Sequence, residues 1–189
     1  YVGSVIAARS RTVLISHGVT HVLNCCTLNN AHEGRVDSPI YLQLNLSDSI
    51  TDLPRMANAI SEGVKFIHAG LQAGGAVLVH CHRGVSRSCT LAIAYIMWRF
   101  RCSAEHAVEQ VRRARPECDP NLGYMCSLED WGRHLAEHPP QLPPHAAVPD
   151  LQRSRSVASM QGGGCRTSLG RLQPKPLGIP AVLTRAKSF

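Results

Sequence analysis

Apolar positions along the chain switch repeatedly between a period of two and a period near 3.6. Residues 2–6 read as a short strand, and residues 7–17 as a helix stopped at Gly18 by a left-handed cap. Residues 19–26 form a mostly apolar run suited to a buried strand, and residues 29–38 a polar connection. Ile40, Leu42, Leu44 and Leu46 alternate with Tyr41, Gln43 and Asn45, as in a strand with one face on the core. Pro54 suits a first helical turn. Ile60, Val64, Ile67 and Leu71 then share one helical face, which ends at Gly74-Gly75. Residues 76–79 are a short apolar run before the polar cluster 80–88, and residues 91–100 are apolar on most sides, as in a buried central helix. Ser103 is placed to cap a helix whose inner face is Ala107, Val108, Val111 and Ala114. Arg112, Arg113 and Arg115 suit that helix's C-terminal dipole, and Pro116 stops it. Asn121 caps a last helix with Tyr124, Met125, Leu128, Trp131 and Leu135 inward. Strands alternating with helices, then helices alone, predict an α/β fold: a central, mostly parallel sheet flanked by helices.

The pattern stops near residue 138. Pro139, Pro140, Pro143, Pro144 and Pro149 follow closely, then Gly162-Gly163-Gly164 among many Ser and Arg. Residues 1–138 are expected to form one domain, and residues 139–189 a disordered basic tail with no core. The formal net charge of +7 belongs to that tail, because the domain balances to +1. Net charge therefore gives the domain no basic face for nucleic acid, and aromatics at 5% leave little for base stacking. The eight cysteines lack regular spacing and include no CxxC pair, so neither a disulfide framework nor a zinc motif is expected. His80-Cys81-His82 places adjacent side chains in opposite directions, and no metal is expected. No apolar run approaches the ~18 residues of a membrane span, and residues 1–11 lack a signal-peptide layout. The expected setting is the cytoplasm or nucleus, without a membrane or nucleic-acid partner and as a monomer.

The cluster His80-Cys81-His82-Arg83-Gly84-Val85-Ser86-Arg87-Ser88 follows a strand and precedes a helix. A loop in that place presents successive backbone N–H groups backed by a helix N-terminus, which is an anion cradle. Residues 82–87 would line it, and Arg87 adds a planar fork for two phosphate oxygens. Cys81 would lie at the base, where the same donors stabilise a thiolate. Gly84 lets the backbone turn tightly and approach a ligand. Cys-x5-Arg by itself is weak, since composition alone gives about 0.7 occurrences. A second copy runs from Cys165 to Arg171, with glycines rather than a strand before it. The strand–loop–helix context singles out Cys81.

With these residues in view, VLVHCHRGVSRS resembles the HCxxGxxRS motif of the dual-specificity branch of the cysteine-based protein tyrosine phosphatases. The resemblance extends over residues 1–138, through YVGS, GVTHVLNC, NLSD, AIAYIM and ARPECDPNLGY. It implies a thiolate nucleophile at Cys81, a phosphate-binding Arg87, a Ser88 hydroxyl that helps Cys81 leave, and a general acid at Asp48. It also implies that Asn121 steadies the loop and that no cofactor takes part. His80 is expected to orient the loop, and His82 and Arg83 to shape substrate preference.

A general acid on a mobile loop fits expulsion of an alkoxide or phenoxide. Asp48 and Asp52 both precede the long helix. Asp48 is preferred, at 33 residues before Cys81, while Asp52 reads equally as the cap before Leu53-Pro54. Cys25 and Cys26 end the second strand as small buried residues, or Cys26 serves as a redox partner of Cys81, as in some phosphatases of the superfamily. Arg112, Arg113 and Arg115 read as a solvated helix end or a dock for an acidic partner. Arg153-Ser154-Arg155-Ser156 resembles a kinase site. Nothing resembles the phosphotyrosine-recognition loop of deep-pocket phosphatases. The expected function is therefore hydrolysis of phosphotyrosine and phosphoserine/phosphothreonine in proteins. The alternatives are a non-protein ester (phosphoinositide, RNA 5′ phosphate or phosphoglucan) and a phosphate-binding pseudoenzyme.

Overall fold

A computed structural model describes residues 1–139. The elements run β1 (Val2–Ser4), α1 (Val5–Arg9), α2 (Arg11–Ser16), β2 (Val19–Asn24), β3 (Ile40–Gln43), a 3-10 turn (Ile50–Asp52), α3 (Leu53–Gln72), β4 (Ala76–Cys81), α4 (Arg87–Phe100), α5 (Ala104–Ala114) and α6 (Leu122–Glu137). All strand pairings are parallel and the sheet order is β1-β4-β2-β3. The expected parallel sheet with flanking helices is what the chain forms. The tail, the second Cys-x5-Arg and the Arg-Ser repeat lie outside the described residues.

Alternation along the strands divides the core. Val22 and Leu78 face α1 and α2, packing with Ala8 and Leu14. Leu23, Val77 and Val79 face the opposite side, where α3 to α6 contribute Ile60, Ile67, Ile93, Val111, Tyr124 and Leu128. Helix α4 is buried along most of its length, as its apolar sequence requires. At Gly63 of α3 an added Cβ would lie 2.5 Å from Leu91 and 3.3 Å from Leu23, so this glycine sets how closely α3 approaches α4 and β2.

Several boundaries differ from the sequence expectation: β2 ends at Asn24 rather than 26, and β4 runs on to Cys81 rather than 79. β1 ends at Ser4, because Val5 already enters a helix and its N–H bonds the carbonyl of His82. The single expected helix over 7–17 is two, broken at Ser10, whose hydroxyl accepts the N–H of Val13 and caps α2. β3 stops at Gln43, although the alternation continues. Leu44 and Leu46 stay buried and donate N–H bonds to the carbonyls of Asn24 and Cys25, while Asn45 takes a left-handed φ of 53° that bends the chain out of the sheet.

β4 lies inside the sheet between β1 and β2, with Ser4 beside Cys81 and Asn24 beside His80. The loop leaving β4 therefore emerges at the carboxyl ends of the strands, where parallel sheets place ligand sites.

Candidate active site

Cys81 is the last residue of β4 and is buried. Residues 82–86 loop over it, and α4 begins at Arg87. Gly84 turns the loop at a φ of +75°, and a Cβ there would meet the carbonyl oxygen of Gly3 at 2.6 Å, so both conformation and space require glycine. The loop carbonyls are tied outward in sequence. His82 O accepts the N–H of Val5 at 3.2 Å, Val85 O that of Asp119 at 3.0 Å, and Ser86 O that of Thr90 at 2.9 Å. Arg83 O and Gly84 O accept from the guanidinium of Arg115.

At the base of the loop, the N–H of Gly84 donates to Cys81 Sγ at 3.2 Å, and Ser88 Oγ stands 3.3 Å from the same sulfur. Burial alone would push the Cys81 thiol up. The Ser88 hydroxyl and N–H, the Gly84 N–H and the charge of Arg87 outweigh it and hold its pKa below the ordinary value of 9.0. His80 is buried, its Nδ1 3.5 Å from the carbonyl of Cys81. Burial lowers its pKa to about 4, so it is neutral at pH 7.

Arg87 anchors its guanidinium on Leu46 O at 2.9 Å and pairs through Nε with Asp48 Oδ2 at 3.5 Å. Asp48 lies on the loop after β3 in the left-handed region, φ 69°, which Asp tolerates better than most residues. Its Oδ1 accepts from Ser86 Oγ at 2.6 Å and from Asn121 Nδ2 at 3.0 Å. Asn121 also caps α6, its Oδ1 accepting the N–H of Tyr124 at 2.9 Å. Cys81, Ser86, Arg87, Ser88, Asp48 and Asn121 are thus gathered from three separated segments. His82 and Arg83 stand exposed on the outer turn of the loop.

Asp52 sits elsewhere. It does not cap α3 with its side chain. Its carboxylate turns back and collects the N–H groups of Ser47, Asp48 and Ser49, the Ser47 hydroxyl, and the Tyr124 hydroxyl at 2.5 Å. Burial would raise its pKa, but these hydrogen bonds overcome that and hold it at about 2, below the ordinary 3.8. Asp52 is the buried anchor of the loop that carries Asp48.

Of the two strand-end cysteines, Cys26 directs its thiol to Asn24 Oδ1 at 3.2 Å. Cys25 shares the core cluster with Cys81, one step past the Asn24–His80 pair. Burial first, then the nearby Cys81 charge, push its pKa well above 9.0. Sequence reasoning missed three contributors: the Arg115 side chain, the Asp119 N–H and the Tyr124 hydroxyl. Arg115 read as a solvated helix end, but it is half-buried against the loop. Only the Arg-Pro dipeptide hinted at this, since a residue before proline is driven out of helical backbone.

Comparison with known proteins shows what the chain as a whole is similar to. Residues 1–134 match the model of the dual specificity phosphatase catalytic domain. The chain is 35% identical over 131 residues to the Arabidopsis thaliana protein-tyrosine-phosphatase MKP1, covering 68% of this chain and 16% of that protein. It is 36% identical over 136 residues to dual specificity protein phosphatase 1 of the same plant, covering 71% of this chain and 66% of that one. It thus spans less than two thirds of either relative. The crystal structure of human DUSP28 superposes with a TM-score of 0.63 at 26% identity, over 72% of this chain and 93% of that chain. With the phosphate-loop motif, the parallel sheet and the family match in agreement, the chain belongs to the dual specificity phosphatase family of the cysteine-based protein tyrosine phosphatases.

Proposed function

We propose that this chain hydrolyses phosphotyrosine and phosphoserine/phosphothreonine in proteins through a phosphocysteine intermediate. The observation that carries the reading is the Cys81 sulfur, contacted by Gly84 N–H and Ser88 Oγ beneath a loop whose carbonyls are bonded to groups outside it. Outward carbonyls leave the N–H groups of residues 83 and 85–87 for the nonbridging oxygens of a phosphate, with Arg87 as a second clamp.

The thiolate of Cys81 attacks phosphorus in line. The S–P bond forms as the P–O bond to the substrate breaks, and Asp48 transfers its proton to the departing oxygen. Asp48, now a carboxylate, takes a proton from water. The resulting hydroxide attacks phosphorus, the P–S bond breaks, and Cys81 leaves as a thiolate that the Ser88 hydroxyl stabilises. In support of this role, nearly a third of the Asp48 side-chain surface is open to solvent, and its carboxylate is tied to the loop through Ser86. His80, buried and neutral, supports the loop without exchanging protons.

Cys81→Ser tests the reading. It is expected to abolish turnover of an aryl phosphate and of phosphopeptides while retaining affinity for inorganic phosphate, and acid-quenched wild-type enzyme should carry phosphate on Cys81. Turnover by Cys81→Ser near the wild-type rate would overturn it. Phosphopeptides carrying each of the three residues, assayed side by side, test the dual specificity.

A further inference from the structure

The loop that cradles phosphate is held from outside by one side chain that no step of the mechanism uses. Arg115 follows the last turn of α5, and Pro116 drives it into extended backbone, φ −141° and ψ 91°. That turn swings the side chain off the helix and onto the loop, where Nε donates to Gly84 O and Nη2 to Arg83 O at 3.2 Å.

The two carbonyls belong to the peptides on either side of Gly84. The Arg83–Gly84 peptide presents its carbonyl to Arg115 and its N–H to Cys81 Sγ, at 3.2 Å. A cation on the oxygen of a peptide withdraws electron density from its nitrogen, and hydrogen bonds in series strengthen one another by about 10–30% each. The N–H that Gly84 offers the sulfur is therefore a stronger donor with Arg115 in place. The next peptide, Gly84–Val85, is polarised the same way, and its N–H is one of the cradle donors. The guanidinium fork also fixes the orientation of both peptides. If either flipped, a carbonyl would face the thiolate and the substrate anion.

We infer that Arg115 is a positioning residue for this reaction, one that acts through the Arg83–Gly84 peptide to acidify Cys81 and to hold the cradle donors inward. The inference rests on the phosphatase reading above and assigns a role to a residue outside the phosphate-loop motif. Its neighbour Arg113 supplies the contrast, since it pairs with Glu109 on the surface of the same helix at 2.7 Å.

The test is the pH dependence of Cys81 alkylation by iodoacetamide, read by mass spectrometry of the Cys81 peptide in the full chain, with orthovanadate inhibition and melting temperature followed in parallel. Arg115→Met should move the alkylation midpoint to higher pH, weaken vanadate inhibition, and lower kcat/KM for an aryl phosphate about tenfold, as both charge-assisted hydrogen bonds behind the cradle are lost. Arg115→Lys keeps the charge but lacks the fork, so its midpoint should fall between those of wild type and Arg115→Met. Arg113→Met should match wild type in all three readouts. An Arg115→Met midpoint equal to that of wild type would overturn the inference. Should that variant not fold, the same result in Arg115→Lys would overturn it. A merely structural role would lower the melting temperature and leave the midpoint in place. If wild type itself shows no acidic Cys81 and no vanadate inhibition, it is the phosphatase reading that fails.

Discussion

Replacing Asp52 by asparagine separates the two candidate acids most sharply. The Asp52 carboxylate is buried and accepts from three backbone N–H groups and two hydroxyls. Asparagine offers one oxygen and turns an NH2 group toward donors, so at least one buried N–H loses its acceptor, at about 1–3 kcal/mol. The folded-state pKa of about 2 against an ordinary 3.8 expresses the same hydrogen bonds as proton affinity. At about 1.36 kcal/mol for each tenfold in proton affinity, ionised Asp52 stabilises the fold by about 2 kcal/mol. Because the folded pKa is the lower one, this contribution is complete above pH 4 and is lost as pH falls toward 2. Urea denaturation at pH 7 should therefore show Asp52→Asn less stable than wild type by about 2–3 kcal/mol. The gap should narrow by pH 3, where the wild-type carboxylate has begun to lose its advantage. Activity should fall modestly with the basic limb of the pH–rate profile intact, because only the support of Asp48 is disturbed. Asp48→Asn should do the opposite: near-normal stability, a rate loss of about 10²–10⁴, and a flattened basic limb. An Asp52→Asn variant of unchanged stability that lost the basic limb would refute the assignment of both residues.

Ser88→Ala removes the hydroxyl 3.3 Å from Cys81 Sγ, so the thiol pKa should rise and alkylation at pH 6 should slow. Pre-steady-state kinetics should then show a burst, because the thiolate becomes a poorer leaving group in the second step. Peroxide should oxidise the Cys81 thiolate to a sulfenic acid, with peroxide reduced to water. We propose Cys25 as the resolving thiol, since it neighbours Cys81 whereas Cys26 turns to Asn24. Attack by the Cys25 sulfur forms a disulfide and expels water, and dithiothreitol should restore activity. Peptide mapping should find Cys25–Cys81, and Cys25→Ser should lose the recovery that Cys26→Ser keeps. A Cys26–Cys81 peptide would return the role to Cys26.

Much of this molecule was legible in its sequence because the relevant forces are local or periodic. The helices α3 to α6 and the succession of strands along the chain follow from apolar spacing, and the caps at Ser103 and Asn121 form where expected. Cys81 and Arg87 stood out as candidates because a strand, a glycine-bearing loop and a helix lie within one short stretch. Boundaries set by competition were not legible. Ser10 breaks a helix whose apolar period runs through it, and Asn45 ends a strand whose alternation continues. Sequence favoured Asp48 over Asp52 and Cys26 over Cys25, but each pair is close along the chain and differs in which way the side chain points, which sequence does not show. Tertiary structure sets their different surroundings. Tyr124 arrives from α6, 72 residues away, to claim Asp52, and the β2–β4 register sets Cys25 beside Cys81. Arg115 is the extreme case. Its sequence marks a basic helix end, and only the packing of α5 behind the loop gives its guanidinium two carbonyls to hold.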